Sequence, residues 1–384
     1  MDFEFSKDQQ LIKKSVRDFL EKECPSDRVR ELEADEKGYD PIMWKKMAGL
    51  GWMGISFPEQ YNGTDGDFID LMVVMEEIGR KLLPSPFFAT VASCSLPILE
   101  YGNDEQKGKF LPAIADGNTI WSLAVHEESS GNNFSEINLR ASLKGEEYIL
   151  SGCKLFVQYA HVADWLLVAA RTGGGDEDGL TVFIMDAKSP GLSMNLIPTT
   201  AHDRQYEVIF EDVKVPEENV LGGVGKGRKI IDFIYQRGAV LKSAEMLGGV
   251  EAALEITSDY AKKRVQFGRV IASFQAIHHK LAELFLDVEG LCYIVYKAAW
   301  KVSTGSPSDL LISTAKTKAN EIYQRTCIQC MLLHGAIGVT REQDIGLYHL
   351  RTRAWESSMG NSNLHREKVA VELEHHQPQM LSEQ

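Results

Sequence analysis

The stretch Arg264-Val265-Gln266-Phe267-Gly268-Arg269, followed by Phe274-Gln275, holds the side chains best suited to a phosphorylated ligand. A helix ends in Lys262-Lys263-Arg264, Gly268 breaks it, and Gln275 opens the next. An Arg at such a turn can fork two donors onto a pyrophosphate, and Phe267 can lie against an aromatic ring edge. A basic helix end with a glycine stop is the structural alternative. In Leu333-His334-Gly335-Ala336-Ile337-Gly338, small residues let a ligand approach the backbone, as they would also let a helix simply turn. Leu123 to Asn133 delivers a strand end into a small-residue loop, a common place for backbone contacts.

Other signals carry less chemistry. Gly222-Gly223-Val224-Gly225-Lys226-Gly227 lacks the Ser or Thr of a phosphate loop. Cys327-x-x-Cys330 with His334 has metal-like spacing but sits in an apolar helical stretch without a fourth ligand. No Gly-x-Ser-x-Gly elbow occurs.

The elements that must position these groups change texture twice. Residues 1–118 read as helices: Leu11, Ile12, Val16, Phe19 and Leu20 share a face, a second apolar helix passes through residues 71–75, and a third runs from Ala89 to Tyr101. Residues 119–228 read as short β runs, at 120–126, 137–143, 163–171, 180–186 and 206–210, and suggest an antiparallel barrel or sandwich. Residues 229–384 return to helix. Val240, Ala244, Leu247, Val250 and Leu254 form a long stripe, with further helices at 275–302, 309–333 and from Tyr348 onward, as in a four-helix bundle.

A chain of 384 residues fits two or three structural units. Its net charge of −14 argues against a nucleic-acid footprint. No apolar run approaches the length of a membrane span, and MDFEFSKDQQ has neither a basic n-region nor an apolar h-region, so neither a span nor a secretory signal is expected. Six scattered Cys fit a reducing compartment, so a cytoplasmic protein is expected.

The ordered set of motifs resembles the acyl-CoA dehydrogenase family along nearly the whole chain. It comprises Leu50–Gly54 with Pro58–Gly63, Gly152–Val157, Phe210–Gly222, Arg264-x-x-Phe267-Gly268 through Gln275, and His334–Glu342. The last piece, continuing to Arg351, is most similar to a branch with bacterial steroid and dicarboxylate members, some of them heteromeric. The resemblance implies an α+β flavoprotein with an N-terminal helical domain, a middle antiparallel β-barrel and a C-terminal four-helix bundle, assembled as a homotetramer or as a heteromer with a related subunit. FAD would lie between barrel and bundle. By position, Val125, His126 and Asn132 come from the first flavin loop, and Phe156 and Gln158 flank the ring. Arg264, Phe267 and Gln275 hold the pyrophosphate and adenosine side, and Leu332, Gly335, Ala336, Asn361 and Asn363 complete the contacts. The substrate would be an acyl-CoA thioester, and the electrons of a dehydrogenase would pass to an electron-transferring flavoprotein.

The family's usual base, a Glu before a Gly, is absent: that pair reads Met359-Gly360, and an alternative slot on the first bundle helix holds Gly238. The Met359 backbone N–H, beside Gly360, would still hold the thioester oxygen. Glu356 is the remaining catalytic candidate. The chain therefore reads as a dehydrogenase-like oxidoreductase with a relocated base. The alternatives are a flavoprotein lyase of this fold, or the subunit of a heteromer that lacks the base.

Overall fold

Capping chemistry sets several helix starts. α1 (Lys7–Glu23) opens on a capping box in which Ser6 and Gln9 exchange two hydrogen bonds of 3.1 Å. α2 spans Ser26–Ala34, and α3 (Pro41–Gly49) follows Asp40, whose carboxylate accepts from the N–H groups of Ile42 and Met43. Beyond α4 (Phe68–Lys81), a π-helical segment (Phe88–Ser95) runs into α5 (Leu96–Tyr101), so the third expected helix is two helical types in series. α6 (Asp104–Ala115) repeats the capping box with Asn103 and Gln106. The chain is described from a computed structural model over residues 4–129, 134–173 and 179–381. Asn132 lies outside these residues.

Two compact units interleave along the sequence. The first comprises residues 1–29, 68–83 and 239–384. It contains α1, α4, most of α7 (Gly227–Lys263), α8 (Gln275–Ser303), α9 (Asp309–His334), α10 (Ile345–Ser357) and α11 (Ser362–Leu381). The stripe Val240, Ala244, Leu247, Val250 and Leu254 is buried, as its helical spacing requires. α4 and α7 cross closely because both carry glycine at the crossing. A Cβ on Gly79 would stand 1.8 Å from the Glu245 carbonyl oxygen, and one on Gly248 1.8 Å from that of Glu76. Tyr348 onward is two helices, so five rather than four follow residue 226 among the described residues. Met359 and Gly360, with φ of 58° and 102°, break that last segment.

The second unit, residues 30–67 and 84–238, holds the strands β1 (Trp121–Ala124), β2 (Arg140–Lys144), β3 (Glu147–Gln158), β4 (Trp165–Arg171), β5 (Leu180–Asp186), β6 (Leu192–Ile197), β7 (Gln205–Pro216) and β8 (Val220–Leu221). Their order is β6-β7-β3-β2-β4-β5-β8, with β1 also beside β4. This corrects the expected antiparallel barrel: among the described residues the edge strands β6 and β8 do not pair, and the sheet stays open. It is also mixed, since β1 pairs β4 in parallel and β2 meets β4, again in parallel, only at Arg140 and Arg171. β3 and β6 escape the alternation pattern. β6 has no fully buried position, while β3 carries two bulges and a fully buried lysine, Lys154. The sheet core is apolar, built from Leu150, Leu166, Val168, Phe183, Val208 and Phe210. No helix of the described residues is long and apolar enough to cross a membrane.

Candidate active site

In the first unit, the segment between α7 and α8 is a two-residue hairpin, β9 (Val265–Gln266) and β10 (Arg269–Val270). Its central residues, Phe267 and Gly268, both have positive φ, 54° and 79°, the geometry that a tight hairpin turn of this hand needs. Glycine adopts it freely. For phenylalanine it costs roughly 1–2 kcal/mol. Phe267 is nevertheless 93% exposed, meeting Phe274 edge-on with ring centroids 6.2 Å apart, so little packing among the described residues repays that strain.

Beneath the hairpin lies a cavity of about 570 Å³ lined by Tyr260, Arg264, Phe267, Leu332, His334, Gly335 and Ala336, among others. It thus gathers five of the residues carried over by position. Gln275 is the first residue of α8, flanked by the lining residues Phe274 and Ala276. His334 is a wall residue to which the motif pattern assigns no ligand role. Its ring stacks on Tyr260 with centroids 4.3 Å apart, and Nδ1–H donates to the Cys330 carbonyl at 2.9 Å. Nε2 is buried with no partner. An orphaned acceptor in a cavity wall, beside Arg264, fits a ligand with both a donor group and negative charge.

The second element of the site in this unit is the turn between α10 and α11. Ser358 N–H closes α10 onto Ala354, and Gly360 N–H reaches Ser357 at 3.3 Å. Asn361 caps α11 through Oδ1, which accepts from Leu364 N–H at 3.0 Å, and Asn363 sits exposed in the first turn, 3.5 Å from Arg366. Neither asparagine lines the cavity. A Cβ on Gly360 would meet His365 Nε2 at 2.6 Å, so this position excludes a side chain twice over, by φ and by space. Met359 is half-buried, and its N–H has no acceptor among the described residues. His365, buried against the turn, is pushed down to about 4 by loss of solvent, while Lys316 and Lys368 further oppose its charge. Glu356 pairs with Arg353 at 2.9 Å; these side chains are 26% and 70% exposed. Gly238 is a buried helical glycine of α7 in the second unit.

In the second unit, β1 runs into Val125 and His126. Leu155 N–H donates to the His126 carbonyl at 2.8 Å, which ties this loop to β3. His126 Nε2 lies 2.7 Å from the hydroxyl of Tyr235, whose ionisation burial opposes. Phe156, on β3, has a φ of 56° and is 55% exposed, and Gln158 ends the strand with its carbonyl taken by Ser122. Val125, His126, Phe156 and Gln158 therefore share one corner of the sheet.

A buried ion pair holds that corner. Lys154, fully buried, donates to the Val125 carbonyl at 3.0 Å and to Glu127 at 2.6 Å. Glu127 in turn accepts the N–H groups of Asn138 and Leu139 at 2.7 and 2.9 Å. Burial pushes the ammonium down to about 8 against the pull of Glu127. Removing one partner of such a pair leaves an uncompensated buried charge. Lys154→Met is accordingly expected to lower the unfolding free energy by roughly 3–5 kcal/mol. Urea midpoints would show this, with Glu127→Gln in the same chain recovering part of the loss.

Comparison with known proteins matches the whole architecture. Family models for the N-terminal, middle and C-terminal domains of acyl-CoA dehydrogenase match residues 6–118, 122–213 and 225–373. A probable acyl-CoA dehydrogenase of Bacillus subtilis, YngJ, is 33% identical over 97% of this chain and all of that protein. The chain belongs to the acyl-CoA dehydrogenase family.

The structure of butyryl-CoA dehydrogenase from Megasphaera elsdenii superposes with a TM-score of 0.92 at 29% identity, covering 97% of this chain and 100% of that one. The CarC subunit of the caffeyl-CoA reductase–Etf complex of Acetobacterium woodii is 31% identical, over 94% of this chain and 96% of its own. Acyl-CoA dehydrogenases are FAD flavoenzymes that act on CoA thioesters, and this chain is a flavoenzyme of that family. Within it, Lys316, Asn320, Ser313 and His365 are site neighbours that no motif marks. The available signal is a lysine placed among Ile312, Ala315 and Ala319, in the buried stripe of α9.

Proposed function

We propose that this protein is an FAD-dependent oxidoreductase that reacts at the α and β carbons of an acyl-CoA thioester, with the thioester oxygen held by the Met359 N–H. The observation that carries this reading is the turn itself. A left-handed residue leaves one backbone donor without an acceptor among the described residues, at the position where the family motif puts its reacting carbonyl. The cavity of the first unit fits FAD: Arg264 supplies charge, Phe267 an exposed ring, and His334 Nε2 an acceptor for a ligand N–H or O–H. In the second unit, Val125, His126, Phe156 and Gln158 supply backbone and aromatic contacts, with Asn132 assigned by position. FAD held there would supply the acceptor for a hydride from the substrate β-carbon.

The protein's own contribution is electrostatic. Negative charge develops on the thioester oxygen as the α-proton leaves, and a preset N–H stabilises it without reorganising. Residue 359 cannot take that proton, because its side chain is a thioether. Glu356 is the carboxylate closest to the turn in sequence, but its pairing with a largely exposed Arg353 marks a solvated ion pair. Glu356→Gln is thus expected to keep at least about half of the rate, since general-base help worth roughly 10²–10⁴-fold would be lost only if it acted.

We further propose a cytoplasmic enzyme that works as a homotetramer, or as a heteromer with a related subunit, and passes electrons to an electron-transferring flavoprotein. The CarC relative, named as part of a reductase–Etf complex, supports the last point. Apolar Met359 favours a second reading, thioester chemistry without net oxidation, such as a lyase step. Anaerobic mixing of the FAD-loaded protein with butyryl-, octanoyl- and 3-phenylpropionyl-CoA separates the two. Loss of flavin absorbance supports oxidation, whereas turnover with the absorbance unchanged supports the second reading.

A further inference from the structure

The turn that presents Met359 is held from outside by buried polar groups with no evident role in the core. Ser313, Lys316 and Asn320 project from α9 at spacings of three and four residues, so they share one face. Lys316 is fully buried, and its ammonium meets three acceptors: Asn320 Oδ1 at 2.5 Å, the Trp355 carbonyl at 3.0 Å and the Glu356 carbonyl at 3.2 Å. Burial and the nearby Lys242 push this group well below the ordinary lysine range, and its charged form offers one donor to each of the three acceptors. The two carbonyls belong to the last turn of α10, where helix geometry leaves oxygens without partners and the dipole favours a cation. Asn320 Nδ2 approaches the same Glu356 carbonyl at 3.5 Å.

His365 closes the other side. Its Nε2 lies 2.9 Å from the Met359 carbonyl and its Nδ1 3.2 Å from Ser313 Oγ. A carbonyl only accepts, so Nε2 carries the proton and the Ser313 hydroxyl donates to Nδ1. The helix end before Met359 and the carbonyl after it are therefore both tied to α9, directly or through His365. Between them the Met359 N–H has no acceptor among the described residues.

We infer that Ser313, Lys316, Asn320 and His365 are positioning residues, a clamp that fixes the Met359 N–H as a preset donor for the thioester oxygen. This rests on the thioester reading above. The clamp acts on the developing enolate more than on the neutral thioester, because a fixed dipole gains most where charge appears. It also keeps Met359 in its left-handed conformation, which a non-glycine residue holds only when its surroundings enforce it.

Acetoacetyl-CoA, whose enolate absorbs distinctly in the ultraviolet, is the probe. With the full-length FAD-loaded protein, the bound thioester is expected to ionise at lower pH than in water. In His365→Leu and in Asn320→Leu that preference should fall about tenfold, one unit in apparent pKa. Binding of neutral butyryl-CoA should change by less than about threefold, an energy below the tenfold step. His365→Gln keeps an N–H donor for the Met359 carbonyl and should restore most of the preference. Amide exchange over residues 358–361 should quicken in the Leu variants and not in the Gln variant. An unchanged enolate preference and unchanged exchange in both Leu variants, with flavin content intact, would overturn the clamp and leave the thioester reading standing. Failure of the unmodified protein to bind acetoacetyl-CoA overturns both. If His365→Leu does not fold, Asn320→Leu makes the same comparison.

Discussion

Met359→Glu is expected to raise the rate at which butyryl-CoA removes flavin absorbance by roughly 10²–10⁴-fold, the range of general-base assistance. The turn already has the required geometry: Met359 is half-buried, Gly360 follows it, and the backbone N–H is open. A carboxylate there would stand on the residue that also binds the thioester oxygen, so proton removal and oxyanion stabilisation would act on adjacent atoms. The substitution asks little of the fold. Glutamate and methionine are both unbranched at Cβ, and any strain at φ 58° is common to the two. A stopped-flow comparison under anaerobic conditions would decide it. An unchanged rate would mean that the proton already leaves to another group, or that the chemistry is not oxidation at these carbons.

The second large effect falls on cofactor retention. Arg264→Ala should weaken FAD binding by roughly 10–100-fold, since hydrogen bonds to charged groups contribute about 1.5–3 kcal/mol. The flavin-to-protein absorbance ratio after gel filtration would read it. Phe267 provides a control of opposite sign. Phe267→Gly relieves a left-handed phenylalanine and should stabilise the apo hairpin by about 1 kcal/mol, yet it removes the exposed ring and should lower flavin retention. A purely structural hairpin would show the gain without the loss.

Long periodic stretches are legible from the amino-acid sequence alone. The α7 stripe and the helices opening at Gln275 and Asp309 need only a repeat of apolar residues to announce themselves. The boundary at Arg264–Gln275 is readable because Gly268 has a local conformational cause. What stays hidden depends on contacts distant in sequence. β3 carries Lys154 inside the core, which is tolerable only because Glu127 lies opposite, and neither residue signals the other. The mixed sheet arises from parallel pairings of β4 with β1 and with β2 that no alternation pattern encodes. Ionic groups deep in the helical unit show the same limit. Glu76 accepts from Lys13 and Tyr296, and Glu77 is gripped twice by Arg17. Likewise, Met359 stands out in the sequence as a missing carboxylate, but the side chains around its turn come from α9 and α11.

The most direct test is a structure of the FAD-loaded protein with butyryl-CoA bound. The expected result is a thioester oxygen within about 3 Å of the Met359 nitrogen, the normal reach of an N–H···O bond, with no carboxylate from the 358–361 turn beside the α-carbon. A thioester oxygen held elsewhere, or Glu356 turned in against the α-carbon, would contradict the account.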